Sequence, residues 1–387
     1  MSEGDIFLDI LFKRLQVKEK PELKVPKIGL KEPEVTVNEI ENFYAVDGGG
    51  GLAKLDGGRT FYVARAVATS REDIIRDLRA EVTYWHSKPL LEAMRSEVEL
   101  KVALSAPGNA VVMDGSYYTM VTKWMTRILR IALMRAKLSE IVSFQPTISA
   151  LNLLNELLLR KKIVFIAKNP SFKFFKNYYI LRKMYEETGD EKYFLLMKEP
   201  LLNKKDLLTE AKRKSIREYV LLLLNSAVTD ADLLEGEGLS SALELPLPKQ
   251  LRKFASPSKW NEVSKMAAEY YELSVGESPR FDRFNVCNLR VPRIWWLKKG
   301  KVFLTIEELS EISICALTSI REREIVPNLA LRILGNELEY PPLLEVAHML
   351  STLSSSQLLS YVNLLSTSMN IGIDGLREEL ISLSRSK

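Results

Sequence analysis

The sequence is poor in the residues that would staple it together. Its 387 residues contain two cysteines, Cys287 and Cys315, and two histidines, His86 and His348. Two cysteines are too few for a disulfide framework, and no CxxC or Cys/His cluster offers the ligands of a zinc site. Long apolar runs are missing as well. The greasiest stretch, Tyr219–Leu224, is bounded by charge within a few residues and falls far short of the ~20 residues needed to span a bilayer. No membrane partner is expected. The start, MSEGDIFLDILFKRLQ, puts acids ahead of its apolar residues and has neither the basic beginning nor the cleavage site of a secretory leader. A reducing cytoplasm is the expected location. There is no internal repeat, which excludes solenoids, and no GxxxxGK[ST] loop for nucleotide phosphates.

What is present is enough apolar residue, 46%, to bury one large core or two modest ones. A net charge of +5 tolerates a nucleic-acid partner without requiring one. Residues Ile6, Leu8, Ile10, Leu11 and Leu15 share one stripe of an amphipathic helix. The charged, proline-bearing segment 18–35 that follows reads as an extended linker. Residues 1–36 are therefore expected to contact a partner or a second copy, with residues 37–387 forming the main domain.

Within that domain the pattern first turns to strands. Phe43–Asp47 and Thr60–Ala68 are expected to pair, joined by a glycine-rich connection. Leu91, Met94, Val98 and Val102 give Pro89–Leu104 one buried helical face. Asn109–Gly115 and Ile163–Lys168 are short apolar runs of the kind that form buried parallel strands, with helices over 118–138 and 148–159 between them. Alternating strands and helices predict an α/β fold, a mixed sheet flanked by helices. The Lys-, Arg- and Tyr-rich segment, about 173–225, reads as a helical insertion. Strands are expected near 281–286 and 293–296, and helices over 306–334 and 342–353.

Three carboxylates stand at informative places. Asp47 and Asp114 each end an apolar strand-like run and each precede glycine, whereas Asp56 lies in a loop and Asp374 opens a helix. If their strands are adjacent and parallel, the two acids share one sheet edge. Clustered carboxylates repel unless a hard divalent cation sits among them, and such a site can hydrolyse a phosphodiester. The third acid is sought on the helix between them. Glu97 and Glu99 flank Val98 by about 100° on either side; Glu99 is preferred, with Glu97 close behind and Glu92 further off. His348, after Tyr340-Pro341-Pro342, could join an oxygen-rich site as a borderline ligand that favours Mn²⁺ over Mg²⁺. His86 reads as packing. Lys168, at a strand end, could meet a phosphate, and Asp230 is ranked below the acidic trio.

These segments together resemble the archaeal NurA nucleases, which act with the hexameric HerA ATPase in DNA end resection. Ala45-Val46-Asp47-Gly48-Gly49, the Arg95–Ala103 helix with Glu99, Val111–Ser116, Ile166–Lys168, and Tyr340-Pro341 with Ala347-His348 carry the likeness across most of the chain. The resemblance implies an RNase H-like fold, a homodimer, and Mn²⁺-dependent 5′-to-3′ exonuclease and single-strand endonuclease activity on DNA. Asp47, Glu99 and Asp114 then match metal-binding acids, Tyr340 and His348 the late tyrosine and histidine, and two ions are expected. The run Gly48–Gly51 and the basic segment after Lys168 are not matched. The competing readings are an actin-like or sugar-kinase ATPase, against which the single strand-Asp-Gly unit speaks, and a non-catalytic scaffold docked on a motor ATPase.

Overall fold

The computed structural model describes residues 27–33, 42–168, 174–200, 204–226, 228–280, 284–335 and 338–369. The amphipathic helix expected at Ile6–Leu15 and the helix expected to open at Asp374 lie outside them. The chain divides into two compact units.

The larger unit is a mixed α/β structure built on a ten-stranded sheet. Its strands are β1 (Phe43–Leu55), β2 (Arg59–Thr69), β3 (Ile74–Thr83), β4 (Ala110–Asp114), β5 (Lys162–Lys168), β6 (Gly238–Leu239), β7 (Ala242–Glu244), β8 (Arg290–Lys299), β9 (Val302–Ser313) and β10 (Arg321–Arg323). They lie in the order β10-β7-β8-β9-β5-β4-β1-β2-β3, with β6 also on β8. β1, β4 and β5 are parallel neighbours; β2, β3 and β9 run antiparallel to theirs. Helices α1 (Lys88–Ser105), α2 (Tyr117–Ala132) and α3 (Phe144–Arg160) make the connections between β3 and β5. Helix α8 (Pro257–Val275) precedes β8, and after the sheet come α9 (Asn328–Leu334), α10 (Pro342–Ser351) and α11 (Ser355–Met369).

The central strands are buried on both faces, which is why they read as unbroken apolar runs. Tyr44, Val46, Val111, Met113 and Phe165 join one core with α1, α2 and α3. Ala45, Val112, Val164, Ile166 and Ile306 join another with Leu331 and Leu344 of α9 and α10. Each such aliphatic side chain, fully buried, contributes roughly 1.5–3 kcal/mol. α1 begins where its sequence says it should: the Ser87 hydroxyl accepts from Leu90 N at 3.0 Å and Pro89 occupies the first turn.

The smaller unit is helical. Helices α4 (Phe174–Thr188), α5 (Glu191–Met197), α6 (Lys204–Arg213) and α7 (Glu218–Asn225) enclose their own core of Ile180, Leu181, Tyr193, Leu196, Val220 and Leu223. The buried Lys176 gives its Nζ to Leu224 O at 3.3 Å and to Ser226 O and Oγ at 3.1 Å. Asp230, also buried, accepts from Lys176 N at 2.8 Å. A short parallel pair, Ile28–Gly29 with Leu234–Glu235, belongs to the same unit. No helix among the described residues is long and apolar enough to cross a membrane.

Several expectations are corrected. Gly48–Gly51 lie inside β1, eleven of whose thirteen residues, Ala45–Leu55, pair with β2. Residues 306–313, expected to open a helix over 306–334, lie in strand β9. Its Glu-Glu-Leu-Ser-Glu segment has helical propensity, but hydrogen-bonded neighbours on both sides override it. Among the described residues of 284–288 there is no strand, only a short 3-10 turn. The strand β3, unnoticed in the sequence, closes one edge. His86 is exposed rather than packed. Cys287 and Cys315 form a disulfide with Cα atoms 5.4 Å apart, a pairing that two isolated cysteines did not announce and one that an ordinary reducing cytoplasm disfavours.

The glycine run is a packing device. A Cβ on Gly48 would strike Glu99 Oε1 and, at 2.9 Å, Arg95 Cγ of α1. One on Gly49 would strike the Ser351 carbonyl at the end of α10, its carbon at 2.9 Å. Gly49→Ala is therefore expected to cost about 1–3 kcal/mol by overpacking against backbone that cannot yield. Gly29→Ala, with nothing within 4 Å of the added atom, should cost well under that. Urea unfolding midpoints of the two variants test the contrast.

Candidate metal centre

Successive side chains along a strand point to opposite faces, and this fixes where the acids go. Ala45 belongs to the core under α9 and α10, so Asp47, two residues on, faces α10. Val112 belongs to the same core, so Asp114 faces the same way. The parallel register pairs Val46 with Met113, which sets Asp47 and Asp114 side by side one residue further along. Helix α10 then brings His348 over them: its Nδ1 lies 2.6 Å from Asp47 Oδ2. One ligand atom each from Asp47, Asp114 and His348 fall within 4.8 Å of one another.

The two acids sit in different surroundings. Asp47 is buried; Gly48 N–H donates to its Oδ1 at 2.8 Å, and the Ser351 hydroxyl reaches its Oδ2 at 3.4 Å. Asp114 is half-buried and takes a side-chain hydrogen bond from Tyr340. Burial first, and then the negative charge of Asp114 and Asp47, hold the Tyr340 phenol well above its ordinary value, so it stays a donor. Lys168 Nζ lies 3.8 Å above the Tyr340 ring and 2.6 Å from Glu345 Oε1. That last pair is exposed, and it spends part of the lysine charge at the rim.

Of the glutamates on α1, Glu92 and Glu97 are committed elsewhere. Glu97 is tied to Arg79, to Ser149 Oγ at 2.9 Å and to Lys101 at 3.4 Å. Glu92 is paired with Lys123 at 2.6 Å and Arg127 at 3.3 Å. Glu99 alone lies against Gly48, across β1 from Asp47, with Arg95 Nε 3.4 Å from its Oε1. It is on the α1 face of the sheet and is not one of the three converging donors. Asp230 belongs to the helical unit and to no acidic cluster among the described residues.

No family model matches the chain and no curated protein matches it. Solved structures do. The chain is similar to NurA. A crystal structure of NurA matches at 11% identity and a TM-score of 0.43, covering 97% of this chain and 96% of that one. NurA with manganese matches at 13% identity and 0.44, covering 94% and 97%. NurA bound to dAMP and manganese matches at 10% identity and 0.42, covering 95% and 96%.

Of the site residues expected from the sequence, Asp47, Asp114, His348 and Tyr340 come together directly, Lys168 meets Tyr340, and Glu99 approaches from the opposite face. Two neighbours were not singled out. Arg95 was visible only as the helical partner of Glu99. Glu307 of β9 was assigned to a helix, yet it is fully buried beneath the turn that follows Asp114. That turn needs Gly115, whose φ is +115°, and Ser116 then caps α2. Glu307 Oε2 accepts Tyr118 N at 2.9 Å, and so anchors the helix that starts beside the site.

Burial pushes the Glu307 carboxyl up to about 7, against weaker hydrogen bonds from Ser116, Tyr118 and Tyr117. The folded protein thus holds a proton that the unfolded chain releases above its ordinary carboxylate range. The stability this gives is full at low pH and is lost as pH rises towards about 7. Glu307→Gln should therefore gain on the wild type between about pH 4.5 and 7, by up to roughly 3 kcal/mol, and the gap should level off above that. Denaturant unfolding across pH 4.5–8 reads it directly.

Proposed function

We propose that this chain is a divalent-metal-dependent nuclease that cleaves DNA, with Asp47, Asp114 and His348 as its ion ligands. The observation that carries the reading is the convergence of three ligand atoms from β1, β4 and α10 within 4.8 Å, two of them carboxylates on adjacent parallel strand ends. The donor set fits: hard oxygens suit Mg²⁺ or Mn²⁺, and an imidazole tilts the choice to Mn²⁺. The chemistry such an ion supplies is positive charge that polarises the scissile phosphate and eases ionisation of the attacking water.

The protein's own groups do the rest. His348, bonded through Nδ1 to Asp47, fixes that carboxylate's orientation while its own ring is held by α10. Tyr340 keeps its proton and orients Asp114. Lys168 stands at the rim, where an incoming phosphate would compete with Glu345 for its charge. Glu99 supports the acidic edge from across Gly48.

The finer parts of the reading come from the sequence resemblance. They are the RNase H-like character of the five-strand order β3-β2-β1-β4-β5, the 5′-to-3′ exonuclease and single-strand endonuclease activities, the homodimer, and a HerA-type hexameric ATPase as partner in DNA end resection. The N-terminal segment 1–36 is proposed as the contact to a partner or a second copy, and the cytoplasm as the location.

The test is cleavage of linear DNA in Mn²⁺. Wild-type protein should degrade it, and Asp47→Asn or Asp114→Asn should each lower the rate by about a thousandfold with the far-ultraviolet spectrum unchanged. Undiminished cleavage by both variants would remove the site assignment, and ATP hydrolysis without DNA cleavage would favour the kinase-like alternative.

A further inference from the structure

The carboxylates at this edge carry more negative charge than the three-donor centre accounts for. Asp47 and Asp114 face α10, while Glu99 stands on the other side of β1. Arg95 lies at the same place in the fold. Its Cγ fills the space that a Gly48 side chain would need, at 2.9 Å from that position, and its Nε lies 3.4 Å from Glu99 Oε1, one turn along α1. That Nε is buried and makes no hydrogen bond, although two-fifths of the side chain remains open to solvent. Glu99 is the only acid it pairs with among the described residues. Glu99 first, and after it Asp47, Glu92 and Asp114, hold the guanidinium more firmly protonated than usual, against the cost of its burial. Arg95 is thus a permanent positive charge within electrostatic reach of all three acids at the edge.

We infer that the centre takes a single divalent ion, on Asp47, Asp114 and His348, and that the Arg95 guanidinium stands in for the second cation of two-ion phosphodiesterases. This rests on the nuclease reading. Two divalent ions a few ångströms apart need several shared and flanking hard oxygens. Here the converging set holds two carboxylates and an imidazole. The acid that would complete a second set, Glu99, is already paired with a cation. A second divalent ion at that place would meet the guanidinium's like charge at short range. Arg95 is in this account a positioning residue: it holds Glu99 in place, and it limits how much further positive charge the edge accepts.

Mn²⁺ titration of the full chain by calorimetry tests this without reference to turnover. Wild-type protein should bind one Mn²⁺ per chain. Arg95→Gln should bind Mn²⁺ about tenfold more tightly, because a fixed like charge has gone. Arg95→Lys, which keeps the charge, should stay within about threefold of wild type. Two Mn²⁺ per chain in the wild type would overturn the inference while leaving the nuclease reading intact. Arg95→Gln binding no more tightly than Arg95→Lys would do the same. Absence of any Mn²⁺ binding by the wild type would overturn both. The wild-type stoichiometry decides on its own should Arg95→Gln fail to fold.

Discussion

Two carboxylates held side by side on neighbouring strand ends crowd like charge together, and the surroundings of Asp47 and Asp114 read as the answer to that crowding. Asp47 is met by a backbone N–H, a serine hydroxyl and the His348 imidazole. Asp114 is met by a phenol that burial and negative charge keep protonated. A guanidinium lies behind them. Each donor offsets part of the charge, and three ligand atoms still converge within 4.8 Å of one another. That crowding of oxygen and nitrogen donors is the physical basis for the proposed metal site, because a hard divalent cation relieves like charges held at short range.

Holding the acids in position requires that elements far apart in sequence come close to one strand from both sides. The residues at the centre are separated by up to 301 positions along the chain, as in the Asp47–His348 pair. The approach is possible because β1 has no side chains at Gly48 and Gly49, so α1 and the end of α10 rest almost on its backbone. Arg65 of β2 then fastens the end of α10 by donating to Thr352 O at 2.7 Å and Ser351 O at 3.3 Å. Moving α10 outward by the width of a methyl group would draw His348 away from Asp47. Packing and chemistry are therefore the same constraint at this edge.

Much of this was legible in the sequence because it depends on local pattern. An apolar run that stops at Asp-Gly marks a strand end, and a two-residue period tells which face a side chain takes. Asp47 and Asp114 could be found that way, and the sheet that carries them could be expected. What depends on tertiary pairing was not legible. Gly48–Gly51 looked like a loop because glycine usually marks one; their purpose is visible only with Glu99 and Ser351 against them. β9 looked helical because its charged residues carry helical propensity, and only its two strand neighbours reverse that. The face on which Glu99 stands follows from α1 packing opposite α10, which no spacing within α1 reveals. His348 was offered as a ligand from its residue type and Tyr340 as its neighbour, and the family resemblance strengthened both, since nothing near them in sequence points to residues 47 or 114. The pairing of Cys287 with Cys315 likewise needed the fold.

The central claim is that a divalent ion belongs between β1, β4 and α10. Anomalous diffraction from crystals of the full chain soaked in Mn²⁺ tests it most directly. The account predicts an anomalous peak within about 2.0–2.6 Å of a carboxylate oxygen of Asp47, one of Asp114 and an imidazole nitrogen of His348. Occupied Mn²⁺ sites found elsewhere on the protein, with none between these three residues, would contradict it.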